Sequence, residues 1–141
     1  MGKVDDSSTF SDNDWEEVKR KSDREIKAWI DDQMEKRSCL VVLIGATTYS
    51  RKWVQYEIRK AYELNKGIVG IYIHKLKDQY GQQTNKGPNP FDSLFVNYDE
   101  PLSHYVCCFD SKCVSSGGVY NDISENIENL IEYGLKNKVP K

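Results

Sequence analysis

The rhythm of apolar and polar positions changes several times along the chain. Cys39–Ile44 is an unbroken apolar run, too short for a helix and rich in branched residues, which suits a strand buried on both faces of a parallel sheet. Gly45-Ala46 ends it. From Arg51 to about Asn65 apolar residues return at helical spacing, with Ser50 as the expected N-cap and Gly67 placed to take a left-handed turn beyond the end. Ile68–Ile73 is a second apolar run, so the three segments predict a βαβ unit.

Further elements flank this unit. After a polar tail over residues 1–11, capping residues at Ser11–Asp14 open a helix ending near Arg37, with Trp15, Val18, Ser22, Ile26, Trp29, Ile30 and Met34 on one stripe. That stripe should pack on the sheet, with Trp15 and Trp29 in the core. A third strand is predicted over His104–Phe109, a turn over Ser115–Gly118, and a closing helix over Tyr120–Lys136. Residues 138–141 should fray, leaving residues 12–137 as the folded part of a single domain spanning 1–141. The long polar stretch after Ile73, through Gly81 and Lys86–Asp92, leaves the carboxyl end of the second strand. A lid or wall at that edge and a solvated insertion are both compatible with its composition. The order predicts an α/β layer fold with a parallel sheet of about three strands. No strand precedes the first helix, so the fold is expected to be N-terminally incomplete.

One residue breaks the pattern of the central helix. At about 100° per residue, Trp53, Val54, Ile58, Ala61, Tyr62 and Leu64 share an arc, and Glu57 falls inside it. A carboxylate directed at a dry face is costly unless it is paired, protonated or lines a cavity. The helix starts at the carboxyl edge of the strands, where parallel sheets form ligand crevices, which makes Glu57 the candidate functional residue. A carboxylate satisfied at the rim by a Lys, a Tyr or the backbone would occupy the same position.

Composition narrows the classes. A chain of 141 residues, 38% hydrophobic and 30% charged, fits one soluble domain with one core. Its net charge of -2, with basic and acidic residues interleaved, gives no general attraction to nucleic acid. No apolar segment has the length of a membrane span, and the first residues lack a signal-peptide core, so a cytoplasmic location is expected. Cys39, Cys107, Cys108 and Cys113 are then reduced thiols, without the paired spacing of a zinc site. His74 and His104 read as ordinary polar residues, and no metal is expected.

The segment Asp14–Asp92 resembles a TIR-like domain of the bacterial Thoeris anti-phage defence type. The resemblance is carried by Asp14-Trp15-Glu16-Glu17, by Val41–Gly45, by Ser50–Ile58, by Gly70–His74 and by Lys86–Phe91. Ser50, Trp53 and Glu57 look like the TIR pattern Ser-x-x-Trp-x-x-x-Glu, in which the glutamate is catalytic. The resemblance implies a flavodoxin-like sheet with helices on both faces. It also implies cleavage of NAD+ between nicotinamide and ribose, giving ADP-ribose or a cyclic isomer that signals to a separate effector. NAD+ would be substrate, with no cofactor required. Glu57 would stabilise the oxocarbenium character of the ribose, Trp53 would restrict water beside it, and Ser50 and Tyr49 would face the substrate.

A complete TIR-like domain opens with a strand and loop that help hold the nucleotide, and this chain enters after most of that part. It is therefore expected to be weakly active or inactive as a monomer unless a partner chain completes the site. The competing function is a TIR-like module that self-associates through TIR–TIR contacts without turnover. A phosphoacceptor domain is disfavoured because the first strand ends in Gly45-Ala46-Thr47 with no Asp, and classical dinucleotide binding because no G-x-G-x-x-G follows a strand.

Overall fold

Strand β1 (Cys39–Ile44) lies parallel to β2 (Gly67–Tyr72), with Cys39 opposite Gly67 and Ile44 opposite Tyr72, in a computed structural model that describes residues 20–96 and 99–141. A short antiparallel pair, β3 (Phe95–Val96) and β4 (Glu100–Pro101), precedes β5 (Cys107–Phe109), which runs parallel to β2 and completes the sheet order β1-β2-β5. The third strand is thus shorter than the expected His104–Phe109, because Leu102–His104 forms a 3-10 turn. Its three residues are all half-buried, and the β3–β4 pair had no counterpart in the apolar pattern.

The alternation of strand side chains builds two cores. Leu40, Val42, Ile44, Ile68 and Tyr72 join one apolar cluster with Ile58 and Ala61 of helix α2 (Lys52–Glu63), Met34 of helix α1 (Asp23–Glu35), and Phe91, Leu94 and Leu102. Cys39, Val41, Val69 and Ile71 join the other with Val119, Ile123 and Ile131 of helix α3 (Ser116–Lys136). Successive strand residues face opposite sides, so helices on both faces follow directly.

Helix boundaries differ from the sequence reading where capping decides them. Ser22 has extended backbone and its hydroxyl accepts from the Glu25 amide, so α1 starts at Asp23 rather than continuing from Asp14. Trp15, Val18 and the polar tail lie outside the described residues. Most of the α1 stripe also packs elsewhere than expected: Ile26 and Ile30 cluster with Trp29, Trp53 and Tyr56, against α2 rather than the sheet. Ser115–Gly118 is no free turn; Ser115 caps α3 by accepting from the Gly118 amide. The expected fray at 138–141 is replaced by packing, since Val139 is buried in the first core and Lys141 Nζ donates to the Glu63 carbonyl.

Asn65, with φ of 56°, takes the left-handed turn after α2 that was expected of Gly67. Gly67 serves another purpose. A Cβ there would stand 3.0 Å from the carbonyl carbon and oxygen of Gly134, so the pair lets α3 lie directly against β2. Gly67→Ala should destabilise the fold by about 1–3 kcal/mol, the range for overpacking a close contact. Equilibrium urea unfolding against the parent chain measures it.

Candidate functional site

Parallel strands deliver their carboxyl ends to one edge, and the turn leaving β1 is the most constrained part of it. Thr48 is buried, and its hydroxyl accepts from the Gly45 amide at 2.8 Å and donates to the Leu43 carbonyl at 3.3 Å. Above this turn runs the segment after β2. Gly87 is buried against it so closely that a Cβ would meet the Gly45 oxygen at 2.4 Å and the Ala46 oxygen at 2.6 Å. Phe91, fully buried, holds the segment down; it occupies space beside Gly70, where a Cβ would come within 3.1 Å of its ring. The long segment therefore forms a wall over the end of β1.

Arg51 is the N-cap of α2 and makes no side-chain cap bond. Ser50, expected there, sits in the 3-10 turn Thr48–Ser50 and donates to the Thr47 carbonyl at 2.9 Å. Tyr49 is exposed, and its carbonyl accepts from Gln55 Nε2 at 2.9 Å. Trp53 is half-buried and meets the Tyr56 ring edge-on at 5.9 Å, with Lys52 Nζ 4.7 Å from its own ring centroid. Tyr56 donates to Asp31 Oδ1 at 2.6 Å, and burial together with that hydrogen bond pushes its pKa up to about 12. These contacts lock the first turns of α2 to α1.

Glu57 stands one turn after Trp53 and one before the fully buried Ala61, roughly 8 Å along the axis from Lys52. Part of the side chain reaches the surface, yet the carboxyl is crowded by protein, and burial alone pushes its pKa up to about 8. No hydrogen bond or ion pair among the described residues holds it. Tyr56, its neighbour, is committed to Asp31, so the rim carboxylate satisfied by a nearby Tyr is not what the chain builds.

His74, read as an ordinary polar residue, is buried at the end of β2 with no hydrogen bond to Nδ1. Lys75, Lys86 and Asp110 gather beside it from three separate segments. Nothing in their sequence spacing signals this meeting: the parallel pairing of β2 and β5 brings Lys75 to Asp110, and the wall segment brings Lys86. No group of three or more His, Cys, Asp or Glu side chains among the described residues could hold a metal ion, and no helix there is long and apolar enough to cross a membrane.

The sequence profile of the family described as Thoeris protein ThsB, TIR-like domain, matches residues 2–78. The chain belongs to the Thoeris ThsB TIR-like family. Its matched region holds β1, α2, β2 and Glu57. The chain is also 42% identical, over 92 residues, to a protein of Bacillus cereus (strain MSX-D12) named "Putative cyclic ADP-D-ribose synthase ThsB1". That alignment covers 65% of this chain and 48% of the relative, so the chain spans about half the length of the curated protein it matches. The layered α/β sheet with helices on both faces is the flavodoxin-like architecture that the TIR resemblance implied.

The position of Glu57 has a measurable consequence. Its carboxyl ionises near 4.5 when unperturbed and near 8 in the fold, so the native state binds the extra proton between these values. The neutral carboxyl's contribution is whole below pH 4.5 and is lost as pH rises through about 8. Glu57→Gln should therefore flatten the fall in Tm between pH 5 and pH 9, read from thermal unfolding of both chains. A parallel displacement of the two curves would contradict the burial.

Proposed function

We propose that this chain contributes the catalytic carboxyl of an NAD+-cleaving site, Glu57, and that the product is ADP-ribose or a cyclic ADP-ribose isomer read by a separate effector. One observation carries the reading: Glu57 is crowded by protein on the apolar side of a helix that departs from the carboxyl edge, with no hydrogen bond or ion pair among the described residues to account for it. A structural carboxylate is normally paired. The name of the Bacillus cereus relative, which describes a cyclic ADP-D-ribose synthase, supports the same chemistry.

The perturbed pKa suits this substrate. The nicotinamide ring of NAD+ is a cationic pyridinium, and its arrival beside a carboxyl favours loss of the proton. The resulting carboxylate faces the ribose as the C–N bond breaks. The bonding pair leaves with nicotinamide, and the positive charge passes to the ribose, where Glu57 stabilises it. Water then captures C1 and releases a proton to give ADP-ribose, or a nucleophilic atom of the same molecule closes the ring. Trp53 limits water from the α1 side; Ser50 and Tyr49, in the turn before the helix, are the residues proposed to meet the substrate.

A second reading takes the same fold as an assembly surface, since Phe95, Val114 and Tyr120 are large apolar side chains left exposed. In it the chain is a module that associates with other copies and turns over nothing. Nicotinamide release, followed by chromatography over a wide range of protein concentration, separates the two. The catalytic reading expects release by the parent, and a loss on the order of 100-fold or more in a folded Glu57→Gln variant. Turnover per chain that rises with concentration would show that a second copy completes the site. Equal release by parent and variant removes Glu57 from the reaction, and none from either leaves the module.

A further inference from the structure

The carboxyl edge holds a charged constellation that the carboxyl chemistry above leaves unused. Lys86 Nζ lies 2.9 Å from Asp110 Oδ2, and Lys75 Nζ lies 3.9 Å from Asp110 Oδ1. Two ammonium groups thus share one carboxylate, leaving a surplus positive charge. Lys75 also donates to the Ser111 carbonyl, and Ser111, itself buried, donates to Asp122 at 2.6 Å, so the end of β5 is firmly seated. Lys86 Nζ stands 4.5 Å from the Tyr72 ring centroid. Tyr72 in turn meets His74 edge-on at 6.0 Å. His74 is 8% exposed, and its Nδ1 has no hydrogen bond. Burial favours its neutral form, which carries one donor and one acceptor nitrogen.

The place of this cluster is as informative as its charge. Lys86 adjoins Gly87, which rests on the carbonyls of Gly45 and Ala46, the turn that leads into the Glu57 helix. The surplus cation and that helix start therefore share one rim. Lys86 and Asp110 lie beyond residue 78, outside the family match.

We propose that Lys75, Lys86 and His74 form a subsite for the diphosphate of a dinucleotide, with Asp110 as the carboxylate that the diphosphate displaces. The identity of the anion rests on the NAD+ reading. Lysine binds phosphate as a point charge, and an anion with more charge than one carboxylate satisfies both ammonium groups at once. His74, 8% exposed with its Nδ1 shielded and unbonded, must turn outward to give that nitrogen to the anion. The alternative role for the same ion pairs is to pin the wall segment to β5, and it predicts different behaviour.

Titration calorimetry of the full chain in the Glu57→Gln background, with ADP-ribose and with inorganic pyrophosphate, tests the subsite without needing turnover. The subsite expects both probes to bind, with Lys86→Gln weakening each by about tenfold and Lys86→Arg largely restoring them. It further expects Asp110→Asn to tighten both, because the competing carboxylate is gone. A pinning role expects Asp110→Asn and Lys86→Gln to lower Tm and leave affinity alone, which would overturn the proposal. Absence of pyrophosphate binding to the parent, or binding indifferent to Lys86→Gln, would overturn it as well. Failure of nicotinamide release would refute the catalytic reading while leaving these binding results standing.

Discussion

Two adjacent strands with no face to offer water set the terms for everything else in this protein. Leu40, Val42 and Ile44 look one way from β1 while Cys39 and Val41 look the other, and β2 repeats the division with Ile68 and Tyr72 against Val69 and Ile71. Each side must be covered, α2 covering one and α3 the other, and the parallel pairing sends every strand's carboxyl end to the same edge. Glycine fits the layers together. At Gly67 it admits the α3 backbone, and at Gly70 it makes room for Cys108, Ile44 and Phe91.

Sequence periodicity exposed this frame because burial on two faces leaves a plain signature. β1 and β2 were recognisable as uninterrupted apolar runs, and α2 as the helical pattern between them. Capping was less readable. Ser50, Ser22 and Ser115 are all chemically competent N-caps, but Ser50 is held in a 3-10 turn and bonds back to Thr47, while Ser22 and Ser115 start helices. The choice depends on backbone direction set by the neighbouring layers, which local composition does not encode. Val139 shows the same limit at the other end, since its burial depends on a core assembled from residues far earlier in the chain.

The site divides along the same line. Glu57 could be picked out because a helix wheel is local: a single acid on an apolar arc is visible within a dozen residues. The Lys75, Lys86 and Asp110 cluster could not, because its members come from the end of β2, the wall segment and the end of β5. His74 was misread for a related reason. Its neighbours in sequence are polar, whereas its burial comes from the parts of the fold that close over the end of β2.

The Thr48 hydroxyl, placed between the Leu43 carbonyl and the Gly45 amide, also limits how the sheet can grow. Ile44 directs its carbonyl to β2 through the Ile73 amide, so Leu43 and Gly45 point their backbone groups to the opposite flank. A single side chain occupies both of those groups, as a further strand otherwise would. A polypeptide laid alongside that flank would meet these two groups already bonded, and its ladder would find free partners only below this corner, toward Val41.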